Sequence, residues 1–380
     1  MNLPAIIMAP DEVLAVYDRV IVKIIAQLYD EDGISVPKAN LSNLAERFSR
    51  GLTTFLDPRF QNFKYQLWDS RLYFKPTYTF NDTAIVIQRP ITYDNNYTAD
   101  TFKLYRSIYP KVPIVVSTWK GEATNDFRRE CRENSVVLLE NDPPKVRGGW
   151  NVNMQLKSSL QGVRYVQENT SAKFVLKTRT DQRINRFDFL VYFKNLLETF
   201  PPKDDKLKRR IIFLFSATSK ALPFHFCDFL SFGCIQDILK LYDVPFHKDP
   251  GDMTYAYKNM NRHIRFQSFF LNNLCPLDYN FKKYPAHKLR KLSHSMYRFC
   301  SPERYIARSF YKKYIAPIDE SKFFETNWKF TRDYLILVDY SAILFDWFKY
   351  ERHRYTYDIY TKGQLAFARW LDMYRNFKMD

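Results

Sequence analysis

The stretch KTRTD at residues 177–181 puts two cations and a carboxylate within five positions, directly after the apolar run FVL. Lys177, Arg179, Thr180 and Asp181 together suit a nucleoside diphosphate. A carboxylate there can hold a divalent cation, Mn or Mg, against the two phosphates, while Arg or Lys offsets the remaining charge. The same residues also fit a plainer role, in which Asp181 caps a turn and the basic side chains are solvated. A second carboxylate, Asp228, stands between Cys227 and Phe229 in PFHFCDFLSFG. A charge on so aromatic a stretch has to be paired or put to use. His225, between Phe224 and Phe226 in that apolar run, reads as a satisfied core histidine, and Trp119 as a packing or a base-stacking ring.

Several chemistries have no support in the sequence. Neither GxGxxG nor GxxxxGK[ST] occurs, and nine glycines in 380 residues leave little for a phosphate cradle built by close backbone approach. HExxH and GxSxG are also missing, which removes zinc-peptidase and α/β-hydrolase patterns. The five cysteines are odd in number and form no CxxC, so they read as small buried residues instead of a disulfide framework or zinc site.

The elements that must position KTRTD follow an alternating pattern. TAIVIQRPI, from Thr83, is a continuous apolar run ended by Pro90, as expected of a strand buried on both faces. An amphipathic stretch with Phe102, Tyr105, Ile108 and Tyr109 follows, then the run VPIVVSTW. A charged helix near DFRRECREN, the run SVVLLE, a helix carrying Leu156, Leu160 and Val163, and KFVLKTRTD continue the alternation. Four such repeats predict a mostly parallel sheet covered by helices, with the strand C-termini aligned along one ligand-binding edge. The loops QRP, STWKGE, ENDPP and KTRTDQR should lie there. IIFLFSA, after a Pro- and charge-rich loop, predicts a further buried strand. Residues 1–80 predict a helical extension, 81–275 the α/β domain, and 276–380 a basic, aromatic, mostly helical C-terminal region.

Composition sets the partners. Hydrophobic residues make up 46% of the chain, enough for a sizeable core. With 58 Lys and Arg against 41 Asp and Glu, a net charge of +17 favours anionic ligands. Residues 281–380 hold 20 Lys and Arg and 11 Asp and Glu, a share of +9. The start MNLPAIIMAPDEV lacks a basic n-region ahead of an apolar stretch, and the most apolar runs are short or carry Asp339 and Asp346, so a cytoplasmic protein without a membrane span is expected. In DWFKYERHRYTYDIY, alternating aromatic and basic residues suggest peripheral contact with an anionic inner membrane.

Six stretches, in order, resemble the WavE lipopolysaccharide synthesis family: IVIQRPI, VVSTWKGE, NDPP, NVNMQLKSSLQGV, VLKTRTDQRI and FHFCDFLSFG. They span roughly residues 83–275, with weaker similarity in ERYIARSFYKKYIAPID. The resemblance implies a GT-A-like, Rossmann-type fold and a hexosyltransferase-type glycosyltransferase. It places Gln88, Ser117, Thr118 and Trp119 by the nucleotide, and Asn153 and Gln155 at the start of a helix facing the donor. Lys177, Arg179, Thr180 and Asp181 would form the diphosphate or metal position, and Asp228 would face the reacting sugar or the acceptor. Two departures stand out. Arg89 occupies a position where the family usually has Gly, from which it can reach a phosphate or crowd the loop, and Gln267 stands where a Glu is expected.

The implied activity is transfer of a sugar from a nucleotide-sugar donor to a glycan or lipid-linked glycan acceptor of a bacterial surface polysaccharide. A basic protein binding single-stranded nucleic acid is the less favoured alternative, resting on the net charge and the Tyr- and Lys/Arg-rich C-terminal region. A non-catalytic scaffold is another, resting on Arg89 and Gln267.

Overall fold

The structure, a computed structural model, describes residues 80–215, 223–248, 301–349 and 366–376. The chain divides into two compact units, residues 1–72 and 73–380, and every described element belongs to the second. The expected helical extension and Gln267 lie outside the described residues.

Four runs of apolar residues form strands β1 (Thr83–Gln88), β2 (Ile114–Trp119), β3 (Val136–Asn141) and β4 (Phe174–Arg179). All six residues of β1 and of β2 are buried, which explains why they read as continuous hydrophobic runs with no alternation. Between the strands run helices α1 (Tyr97–Ile108), α2 (Asn125–Glu133) and α3 (Val152–Asn169). Helix α1 buries Phe102, Tyr105 and Ile108 at helical spacing. Helix α2 starts at Thr124, whose hydroxyl accepts a hydrogen bond from the Phe127 N–H. Helix α3 packs directly on the sheet at Gly162, where a Cβ would meet Val86 Cγ1 at 2.5 Å. A side chain at that position would hold the helix off the strands.

Past β4 come the short strand β5 (Gln182–Ile184), helix α4 (Phe189–Thr199), β6 (Ile211–Leu214), β7 (Ser231–Cys234) and helix α5 (Ile235–Tyr242). Helices α6 (Pro302–Tyr314) and α7 (Phe323–Tyr334), strands β8 (Leu335–Val338) and β9 (Phe345–Trp347), and helix α8 (Phe367–Asn376) complete the described chain. The main sheet has the order β3-β2-β1-β4-β7-β6-β8. Neighbours are parallel except where β7 meets β4 and β6. The molecule is thus an α/β protein with a seven-stranded, mostly parallel sheet, as the alternating pattern predicts.

Two features differ from the sequence expectation. The stretch PFHFCDFLSFG ends in an antiparallel strand: Ser231 pairs with Lys177 and Cys234 with Phe174, so β7 starts at the C-terminal end of β4. That reversal carries Asp228 to the same sheet edge as KTRTD. The C-terminal region contains the expected helices but also supplies two strands. β8 extends the main sheet beside β6, and β9 pairs antiparallel with β5, placing Trp347 opposite Gln182 and Asp346 opposite Arg183. LILV before Asp339 is a fully buried strand, although its length alone does not separate it from a helix turn. Cys131 and Cys227 are buried free thiols, as expected, and Cys234 is half-buried.

Candidate functional site

The C-terminal ends of β1 and β4 lie side by side, with Gln88 in register with Arg179. The loop entering β7 and the strand β9 close over them. Here the structure gathers Gln88, Arg89, Lys177, Arg179, Thr180, Asp181 and Asp228.

Asp181 is the hub. Its carboxylate accepts from Arg179 Nε at 3.1 Å on Oδ1 and from Arg179 Nη2 at 3.1 Å on Oδ2. Oδ2 also accepts from Arg89 Nη1 at 2.6 Å and Trp347 Nε1 at 2.9 Å. The backbone around it is equally fixed: the Phe348 N–H donates to the Asp181 carbonyl, and the Thr180 N–H to that of Gln88. The Thr180 hydroxyl donates to the Pro90 carbonyl at 2.5 Å, and Thr98 Oγ1 to the Thr180 carbonyl at 3.0 Å. These bonds lock the β1 and β4 loops to each other and to the start of α1.

Arg179 lies against two aromatic rings, with its guanidinium carbon 5.1 Å from the Phe229 centroid and 5.4 Å from that of Trp347. Phe229 and Trp347 are themselves in edge contact at 4.2 Å. Planar stacking and a bidentate carboxylate fix the guanidinium's position and orientation. The side chain of Arg89 differs in being 36% exposed. Its backbone has φ of 120°, a region L-residues rarely adopt. The glycine that the family resemblance implies at this position is what such a φ favours. Arg89 keeps the backbone shape and adds a guanidinium to the site.

Asp228 faces Arg179, with Oδ1 3.7 Å from Nη1. Beneath it, the fully buried Lys177 donates from Nζ to the Asp228 backbone carbonyl at 2.7 Å. Burial pushes the Lys177 ammonium down to about 8, against the opposing pull of Asp228, Cys227 and Asp181. The Cys227 thiol is pushed well above its ordinary range by burial, with the Asp228 charge adding to the effect. It is a packing residue with no thiolate available at neutral pH.

The other expected site residues divide into two groups. Ser117 joins the site indirectly: its hydroxyl donates to the Ser158 carbonyl at 2.8 Å, while the Ser158 hydroxyl donates to Gln88 Oε1 at 2.7 Å. This chain orients the Gln88 amide. Thr118 turns away toward Glu122, donating to its carboxylate at 2.7 Å, and Trp119 is 95% buried, the packing alternative. Asn153 is held within the fold, its amide donating to the Val146 and His247 carbonyls and its oxygen accepting from the His247 N–H. Gln155 is half-buried on α3 and is not tied to KTRTD by a hydrogen bond. His225 sits 3.7 Å from Glu303.

Trp347 and Phe229 are the contributors that motif spacing misses. Trp347 was readable only as one aromatic among many in DWFKYERHRYTYDIY, where the expectation was a membrane-facing segment. In the structure Asp346 is buried and bonded to the Tyr97 hydroxyl at 3.1 Å, and Phe348 packs on the Tyr97 ring. The first three residues of that segment therefore pack against the protein and its site, Asp346 buried and Trp347 and Phe348 half-buried. Residues 350–365 lie outside the described set.

The donor set around Asp181 does not fit a divalent cation. Both its oxygens already accept N–H donors from two guanidinium groups and an indole. Among the described residues, no three His, Cys, Asp or Glu side chains converge as a metal cluster. Three cationic side chains, Arg89, Arg179 and Lys177, face two carboxylates, Asp181 and Asp228, which favours an incoming anion.

Fold and site together define an α/β protein with a basic, carboxylate-bearing centre at the C-terminal edge of a mostly parallel sheet. The chain belongs to the WavE lipopolysaccharide synthesis family, whose model matches residues 83–277. A comparison with curated proteins finds no match. Among solved structures, the chain is similar to a cytidylyltransferase from Leptospira borgpetersenii, at 10% identity and a TM-score of 0.28, covering 63% of this chain and all of that one. It is also similar to a glycosyltransferase involved in glycosylating the major capsid of PBCV-1, at 10% identity and a TM-score of 0.24, covering 54% of this chain and 78% of that one. No described helix is long and apolar enough to cross a membrane.

Proposed function

We propose that the chain is a GT-A-like glycosyltransferase of hexosyltransferase type. It moves a sugar from a nucleotide-sugar donor to a glycan or lipid-linked glycan acceptor in lipopolysaccharide, O-antigen or capsule synthesis. The observation that carries this reading is the pairing of a guanidinium cluster with a separate carboxylate at one sheet edge: Arg89 and Arg179 on Asp181, with Asp228 3.7 Å from Arg179. The family's description, lipopolysaccharide synthesis, supports the same class of product.

In this proposal the donor diphosphate lies on Arg89 and Arg179, which stabilise the negative charge that develops as the anomeric carbon–oxygen bond breaks. The acceptor hydroxyl attacks the anomeric carbon, and Asp228 takes its proton. The new glycosidic bond forms as the nucleoside diphosphate leaves. Gln88, oriented through Ser158 and Ser117, lies at the end of the nucleotide side. Peripheral attachment to an anionic membrane at the cytoplasmic face would rest on the basic C-terminal region.

A thermal-shift screen of nucleotide-sugars, followed by donor-hydrolysis assays on the hits, tests the function. A matching donor should raise the melting temperature by mass action and be consumed in the presence of acceptor glycan. A chain that binds single-stranded nucleic acid in a salt-dependent way and turns over no sugar nucleotide would overturn the proposal.

A further inference from the structure

We infer that the site holds its diphosphate with a two-jawed guanidinium clamp in place of a divalent cation, and that Asp181 is the clamp's internal counter-charge. This rests on the reading that the ligand is a nucleoside diphosphate or its sugar ester.

Three observations converge on it. Four N–H bonds from Arg89, Arg179 and Trp347 fall on the Asp181 carboxylate, three of them on Oδ2, so a metal would have to compete with these donors for it. A dication entering there would also sit beside two guanidinium groups and a buried lysine, where like charge opposes it. A phosphate oxygen faces the opposite situation, because guanidinium is matched to it in shape and charge.

The two jaws have different mechanical characters. Arg179 is the fixed one: its side chain is 9% exposed, bidentate on Asp181 and covered by the Phe229 and Trp347 rings. Arg89 is the movable one. It reaches Asp181 through Nη1 and presents a side chain that is 36% exposed. Rotating it from the carboxylate to an arriving phosphate trades one anionic partner for another, leaving Asp181 held by Arg179 and Trp347. Asp181, bonded to both guanidinium groups, offsets their mutual repulsion. A glycine at position 89 would leave only the fixed jaw, so this chain's departure from the family pattern is what completes the clamp.

Inorganic pyrophosphate is the probe, titrated calorimetrically into the full chain in EDTA and again with Mn or Mg. Metal-free binding is expected, unchanged by adding either cation beyond what the cation does to free pyrophosphate. Arg89→Ala should weaken it about tenfold or more, the scale of one charge-assisted hydrogen bond. Arg179→Lys keeps the charge of a buried position while removing the bidentate fork, and should weaken it similarly. Asp181→Asn, checked for folding by circular dichroism, should bind at least as tightly as the wild type because a competing carboxylate has gone. Binding that requires Mn or Mg, absence of binding under both conditions, wild-type affinity in Arg89→Ala, or lost affinity in folded Asp181→Asn each overturns the clamp. Transfer seen only with metal would sink the clamp and leave the glycosyltransferase standing. Metal-free pyrophosphate binding with no sugar nucleotide turned over would do the reverse.

Discussion

Arg89 joins a backbone problem to a charge, and two substitutions separate them. Arg89→Ala and Arg89→Gly both delete the guanidinium that reaches Asp181 at 2.6 Å, but only glycine is at ease with the φ of 120° found there. Holding a non-glycine residue in a sparsely populated region costs about 1–3 kcal/mol. Glycine returns roughly 0.4–1 kcal/mol of that through its freer unfolded chain. The glycine variant should therefore be the more stable of the two by about 1–2 kcal/mol. The ion pair is partly exposed and Asp181 keeps its other donors, so its removal costs at most about 1 kcal/mol. Arg89→Ala should then fall below the wild type, and Arg89→Gly should match or exceed it. Urea unfolding reads this directly, as a higher midpoint for glycine than for alanine with equal slopes, corresponding to a few degrees in melting temperature. Equal midpoints would refute the backbone account. Both variants should lose donor affinity alike, since the missing charge is the same.

Trp347→Phe keeps a ring against Phe229 but removes the Nε1 donor to Asp181, and should lower stability by about 1.5–3 kcal/mol, the worth of a hydrogen bond to a charged group; unchanged urea midpoints would show that the bond contributes nothing. Lys177 binds its proton less tightly folded, at about 8, than unfolded, near 10.5. Between those values the unfolded chain carries more protons, so this group makes the protein more stable as pH rises from 8 toward 10.5, by up to about 3 kcal/mol. Lys177→Met should flatten that rise in urea midpoints measured across the window, and a rise that persists in the variant would assign it elsewhere. Asp228→Asn should reduce turnover far more than donor affinity; normal turnover with weakened donor binding would move Asp228 from the acceptor to the donor side.

The parallel half of the sheet was legible because its strands begin with apolar runs, buried on both faces in β1 and β2. AIVI in TAIVIQ, IVV in IVVSTW and FVL in FVLKTR announce themselves as short apolar runs between helical patterns. The edge where KTRTD and QRP meet follows from that topology alone. Asp228 was legible as a carboxylate needing a partner, but its partner Arg179 was not, because the reversal at β7 that joins them leaves no periodic mark in SFGC. Trp347 was hidden for a related reason. Its role depends on β9 pairing with β5, which brings it to Asp181 across a separation of 166 residues, and an aromatic between an Asp and a Phe looks the same whether it meets a membrane or a carboxylate. Asn153 and Thr118 belong to the motifs yet bond within the fold, since short polar side chains at strand and helix ends serve the backbone as readily as a ligand.

The place of β8 and β9 in the fold bears on how the protein is made. A ribosome that has just released Asp181 must add a further 166 residues before Trp347 can reach it. At 5–20 residues per second that interval is roughly 8–33 s. For most of it, from its own synthesis until residues 335–338 follow, the nascent β6, Ile211–Leu214, lacks its parallel neighbour β8 and presents an apolar edge that other chains can pair with. Sheet closure and site completion thus fall late in synthesis, and pairings this distant in sequence are slow to form. Shielding β6 during that wait should therefore reduce aggregation of newly made chains.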